Sequence, residues 1–98
     1  MEEKRFDEKL ILMYVPYALA RVEQSKNLTI DELRAYKKQS GDFFRYVRKN
    51  GLDEHIAFLT SHRKDAYFGQ YIEKMLSHEG VKWLKANYPI MRQVAEEQ

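Results

Sequence analysis

Apolar residues recur at steps of three and four along almost the whole chain, and alternating β-branched runs are missing. The period is therefore helical and not that of strands. The first apolar segment, 7–24, carries Leu10, Ile11, Leu12, Met13, Tyr14 and Val15 in succession. At about 100° per residue these positions cover nearly the full circumference of a helix, and a helix apolar all round has to be covered all round. The pattern predicts that this helix is the centre of a bundle or that a partner chain covers part of it. Pro16 removes a backbone donor inside the segment and predicts a bend there. Asp7 or Glu8 suits the positive N-terminal end.

The second helix opens at Thr29-Ile30-Asp31-Glu32, which has the spacing of a capping box: threonine hydroxyl and glutamate carboxylate each satisfy an orphan backbone N–H. It ends near Gln39, and Ser40-Gly41-Asp42 forms a turn in which Ser40 or Asp42 caps the next helix. A third helix takes in residues 43–50, with Gly51 placed for a left-handed C-terminal cap. A fourth, over 52–62, has Asp53 as its cap and Leu52, Ile56 and Leu59 as its core face. A fifth, over 64–78, shows the stripe Phe68, Tyr71, Ile72, Met75 and Leu76, with Gly69 beside it where a missing side chain lets another helix approach. Glu79-Gly80 ends that helix. "VKWLKANY" makes a sixth, and Pro89 stops it or starts a final turn through Val94. The reading is an all-α, compact bundle of five to six short helices around the central apolar first helix, forming one domain over 1–98.

The third helix, "DFFRYVRKN", decides how the surface is read. On a wheel, Phe43, Phe44, Tyr46 and Val47 fall within an arc of roughly 160°, and Arg45, Arg48 and Lys49 fall opposite. The rings are predicted to enter the core and the cations to face water. A reader of single-stranded nucleic acid needs rings beside its cations on an open surface, and this helix separates them.

Charge changes the picture locally, not globally. Seventeen basic and fifteen acidic residues leave a net charge of +2, too little to imply a polyanionic partner. Yet Arg34, Lys37, Lys38, Arg45, Arg48 and Lys49 share residues 34–49 with one acid, Asp42. Phosphate contact through this face is the second functional expectation. A helix-turn-helix match is weak, because Lys37 stands where a small residue is favoured and the second helix mixes no Ser, Gln or Asn among its cations. Lys37 lies on the apolar arc with Ile30, Leu33 and Tyr36, so its stem packs and its ammonium snorkels to water, or it rims a pocket or interface.

The 44% hydrophobic and 33% charged composition over 98 residues is that of a folded globular chain. With no cysteine there is neither disulfide nor thiolate chemistry. "MEEKRFDEK" does not read as a secretory signal, and the apolar run 10–20 falls short of the roughly 20 residues a membrane span needs. A cytoplasmic protein is expected. His55, His62 and His78 form no His-x-x-x-His or Glu-x-x-His pair, so no metal ligands are assigned. Phosphate-cradling glycine motifs and a recognisable nucleophile are absent too, so neither cofactor nor catalytic residue is assigned and the chain reads as a non-enzyme.

Among the aromatics, Trp83 lies off the Val81–Leu84–Tyr88 stripe and Phe58 off the Leu52–Ile56–Leu59 stripe. The two are expected to cover each other at a helix corner, or to sit in an exposed patch of the kind that anchors a partner. Seven tyrosines would also suit a tyrosine-lined ligand pocket. The first functional expectation is a small protein-interaction module: a bacterial or phage-type regulator, inhibitor or antitoxin that works by protein contact, self-association included. Its partner-binding candidates are Arg34, Lys37, Lys38, Arg45, Arg48, Lys49, Phe58 and Trp83.

Overall fold

The computed structural model describes residues 6–97. Seven helical segments succeed one another among them: α1 Glu8–Leu12, α2 Tyr14–Glu23, α3 Ile30–Gln39, α4 Gly41–Lys49, α5 Leu52–Ser61, α6 Gly69–Met75 and α7 His78–Glu96. The all-helical bundle expected from the period is the one observed.

The expected first helix is two arms joined at Met13. Pro16 explains the place of the break. It offers no N–H to the carbonyl one turn earlier, that of Leu12, and its ring crowds that carbonyl. The interruption therefore falls before the proline and not at it. Asp7 caps α1 as expected, its carboxylate accepting from the Lys9 and Leu10 N–H groups at 3.0 and 3.4 Å.

Helix α2 closes in a Schellman turn: the Ser25 N–H bonds the Val22 carbonyl at 3.0 Å and the Lys26 N–H bonds the Arg21 carbonyl at 2.8 Å. Ser25 holds the left-handed conformation this turn requires, at φ 55°. Helix α3 starts at Thr29, whose hydroxyl accepts from the Glu32 N–H at 3.2 Å. The other half of the expected capping box is missing. The Glu32 carboxylate takes the Thr29 and Tyr17 hydroxyls and both terminal nitrogens of Arg21, each at 2.9 Å. A guanidinium offering two charge-assisted bonds outcompetes a backbone N–H for the same oxygens.

Further boundaries depart from expectation. Helix α4 begins at Gly41, and Gly51 does not cap its end. Gly51 is extended, at φ −82°, and is the N-cap of α5, which leaves Asp53 inside the first turn. The Asn50 amide and N–H instead close α4 on the Tyr46 carbonyl, at 3.0 and 2.9 Å. The fifth predicted helix shrinks to α6. The Asp65 carboxylate accepts from the Tyr67 and Phe68 N–H groups at 2.8 and 2.7 Å, which holds the preceding residues in turns. Gly69 does admit a close neighbour, but it is the Arg63 carbonyl, 2.6 Å from where a Cβ would stand, and not another helix.

Gly80 and Pro89 both lie inside α7. The stop comes earlier, at Ser77, whose hydroxyl caps α7 by accepting from the Gly80 N–H at 3.3 Å. A Cβ on Gly80 would meet the Met75 carbonyl at 1.9 Å, so the glycine is there for the approach of α6 and not as a breaker. Pro89 is exposed, as is Lys85 one turn before it. The carbonyl that loses its donor thus lies on the wet side of the helix.

Helix α7 packs against α2, α3, α4, α5 and α6, and so forms the axis of the bundle, with α2 alongside. Its buried positions Trp83, Leu84, Tyr88, Met91, Val94 and Ala95 meet Ile11, Leu12, Tyr14, Val15, Ala18 and Leu19 of the first two helices in one core. Buried Asn87 is fully occupied: its carbonyl oxygen accepts from the Leu28 N–H at 2.8 Å and its amide donates to the Trp83 carbonyl at 2.9 Å and to Asn27 at 3.3 Å.

Ser25 supplies a direct test of the α2 turn. A left-handed L-residue costs about 1–2 kcal/mol, while glycine there gives back part of that in unfolded-chain entropy. Ser25→Gly is expected to stabilise by about 0.5–1 kcal/mol, raising Tm by about 3–6 °C in thermal unfolding followed by circular dichroism.

Candidate functional site

On α4 the two faces separate as the wheel predicts. Phe43, Phe44, Tyr46 and Val47 are buried, and Arg45, Arg48 and Lys49 are exposed. The cations of 34–49 nevertheless do not form one open basic face. Arg34 makes a bidentate pair with Glu97, at 2.9 Å from Nε and 2.7 Å from a terminal nitrogen. Arg45 is paired with Asp42. Lys37 is half-buried and donates to the Val94 and Glu97 carbonyls at 2.8 and 2.7 Å. Its stem packs as expected, but its ammonium caps the carbonyl end of α7, where a cation also complements the helix dipole. Lys38 is exposed. Among the described residues, Arg48 and Lys49 have no carboxylate partner at ion-pair distance.

Among the described residues, hollows lie on either side of α4. One, of about 580 Å³, lies between α1, the α3–α4 joint and the end of α7. Its apolar wall is Leu10, Phe44 and Ala95, and its charges are Lys37, Arg45 and Arg48 against Asp42 and Glu97. It is nearly charge-balanced. The other, of about 420 Å³, is bounded by Phe6, Arg45, Arg48 and Lys49. Nothing in the sequence marks Phe6 for this place, because it stands alone before the first helix.

The first helices are not covered all round. Their inner face is in the core, but Leu10, Met13 and Tyr17 remain 38%, 56% and 38% exposed. These positions succeed one another at helical spacing, and Leu10 continues the row into the larger hollow. Tyr17 also stacks on Tyr36, ring centroids 6.0 Å apart. Tyr67, 61% exposed, sits apart in the segment before α6.

Trp83 and Phe58 do not cover each other. The Trp83 ring is buried and its N–H donates to the Lys26 carbonyl at 2.7 Å, tying the α2–α3 loop to α7. Phe58 is half-buried between Tyr46 and His62, at 5.1 and 4.6 Å. Neither forms part of the Leu10–Met13–Tyr17 row.

His55, fully buried on α5, is a strongly perturbed ionisable group. Its Nδ1 lies 3.3 Å from the Tyr88 hydroxyl, which donates onward to the Asn50 carbonyl at 3.1 Å. His55 Nε2 and the Tyr14 hydroxyl are buried without partners. Burial pushes the imidazole down to about 3, and it pushes the Tyr46 hydroxyl up to about 12. The signal for His55 was present in the sequence: it is one turn after Leu52 and one turn before Leu59, on their apolar arc. The group is sealed from solvent. The cavity lined by Tyr14, Tyr17 and Tyr36 holds about 10 Å³, room for one water at most, so the tyrosine-lined ligand pocket is ruled out there.

Among the described residues no three His, Cys, Asp or Glu side chains gather as metal ligands, and no helix is long and apolar enough to cross a membrane.

A neutral buried imidazole has a linkage consequence. The unfolded chain takes up a proton near 6.5 that folded His55 refuses until about 3. Its contribution to stability is therefore complete above that unfolded value and is lost as pH falls through the window. Unfolding free energy is expected to drop by about 1.4 kcal/mol per pH unit between about pH 6 and 5, above the range where carboxylates titrate. Urea titrations at both pH values would read this slope, and His55→Gln should remove it whatever its effect on absolute stability. No family model matches the chain, and neither a curated protein nor a solved structure emerges as its relative.

Proposed function

We propose that the protein is a small non-enzymatic interaction module, of a regulatory, inhibitor- or antitoxin-like kind, that docks a protein partner on the outer face of α1 and α2. The observation that supports this best is the row Leu10, Met13 and Tyr17, exposed on a face that the bundle leaves uncovered. Single exposed apolar residues are ordinary; a row at helical spacing that runs into a half-apolar hollow is what helix-mediated contacts use. Exposed Met suits such a surface, since its flexible thioether moulds to a partner. Of the neighbouring charges, Arg34 is paired with Glu97, Arg45 with Asp42 and Lys37 with backbone carbonyls, while Arg48 has no carboxylate partner among the described residues; this balance favours a protein over a polyanion on this face.

Substitution separates docking from folding. Met13→Glu places a charge on the open side and is expected to leave helicity and Tm unchanged while weakening association at least tenfold. Light scattering across concentration reads self-association, and affinity capture with each form as bait reads another partner. The contact should persist in high salt, as apolar contacts do. Leu12→Glu, by contrast, forces a charge into a site 2% exposed and is expected to unfold the chain. Association undisturbed by Met13→Glu would contradict the proposal.

A further inference from the structure

We infer that the smaller hollow, between Phe6 and α4, is a contact site for single-stranded nucleic acid, with Phe6 as the stacking ring and Arg48 and Lys49, which have no carboxylate partner among the described residues, holding phosphates. This goes beyond the apolar docking face and rests on different residues. The rings of α4 itself point into the core, which on sequence argued against such a site. Phe6 reverses that argument locally. It folds back over the outer side of α4, edge-on to Tyr46 with centroids 5.7 Å apart and planes at 81°. The Arg45 guanidinium and Lys49 ammonium stand 6.0 and 5.7 Å from its centroid. The result is a half-buried aromatic ring beside cations at the surface, the combination that tracks single strands: bases stack on the ring while the cations track the backbone.

The volume, about 420 Å³, falls within the ~300–1,000 Å³ of sites that take small ligands, so a nucleotide unit fits. Among the described residues no carboxylate lines it, whereas the larger hollow holds two, Asp42 and Glu97. An arriving base takes the ring face now shared with Lys49 and frees that ammonium for a phosphate. Duplex DNA fits less well. A base can stack on Phe6 only when it is free of a complementary strand.

The test is fluorescence anisotropy with a labelled oligothymidylate of about 12 nucleotides, within the range of single-strand site sizes. Binding is expected at about 50 mM salt and should weaken roughly 5- to 10-fold by 200 mM, as about two phosphate contacts on a single strand demand. Phe6→Leu, which keeps an apolar contact with Tyr46, should weaken binding about 5- to 100-fold through lost stacking. Arg48→Gln and Lys49→Gln, both at exposed positions, should each weaken binding and flatten the salt dependence. Met13→Glu should leave it unchanged, so loss of the docking face and loss of this site are read separately. Any of four results overturns the inference: no binding at the lower salt; wild-type affinity in Phe6→Leu or in Arg48→Gln; displacement by polyglutamate as readily as by unlabelled oligonucleotide; or equal affinity for a duplex of the same length.

Discussion

The burial of one face of α4 is the constraint on which the other features depend. Its rings connect four elements. Phe43 lies 4.5 Å from the Tyr14 ring of α2 and 5.9 Å from Tyr36 of α3, and Tyr46 lies 5.2 Å from the His55 ring of α5. Phe43 and Phe44 meet edge to face at 5.0 Å, a favoured aromatic geometry. Because α4 is short, turning this face inward fixes where Arg45, Arg48 and Lys49 point. The α4 cations that line the two hollows, Arg45, Arg48 and Lys49, are placed by that rotation.

Helices of this length are not stable alone, so tertiary contacts must supply their stability. Beyond apolar burial, α7 gathers the loops through specific side chains. Trp83 and Asn87 hold residues 26–28. Tyr88 and Arg92 both donate to the Asn50 carbonyl, at 3.1 and 3.4 Å, and so fix the α4–α5 joint. Lys37 closes the far end of α7. These ties engage backbone groups at loops and helix ends, which is why polar residues here specify the packing and do not undermine it.

What the sequence made legible was local. The cap at Asp7, the start at Thr29 and the two faces of α4 each depend on residues within a turn or two of one another. What it hid was set by distant partners. Nothing near Lys37 indicates that its ammonium ends on Val94, and nothing near Glu32 indicates that Arg21 draws its carboxylate away from the capping box. Gly80 and Pro89 read as breakers because their neighbourhoods are invisible to a wheel: one accommodates the Met75 carbonyl, the other faces water. The same holds for the surface. The apolar first segment was legible as needing cover, but which side the bundle leaves open, and that Phe6 joins the cations of α4, required the fold.

The partition of α4 is tested most directly by comparing Phe43→Ala with Arg48→Ala in equilibrium urea unfolding. A ring buried to 1% exposure leaves a cavity when truncated, so Phe43→Ala is expected to cost about 3–5 kcal/mol. Arg48→Ala, at an exposed position, should stay within about 0.5 kcal/mol of the parent. A large loss at Arg48 together with a negligible one at Phe43 would mean that α4 presents the opposite face to the core, and the placement of both hollows would fall with it.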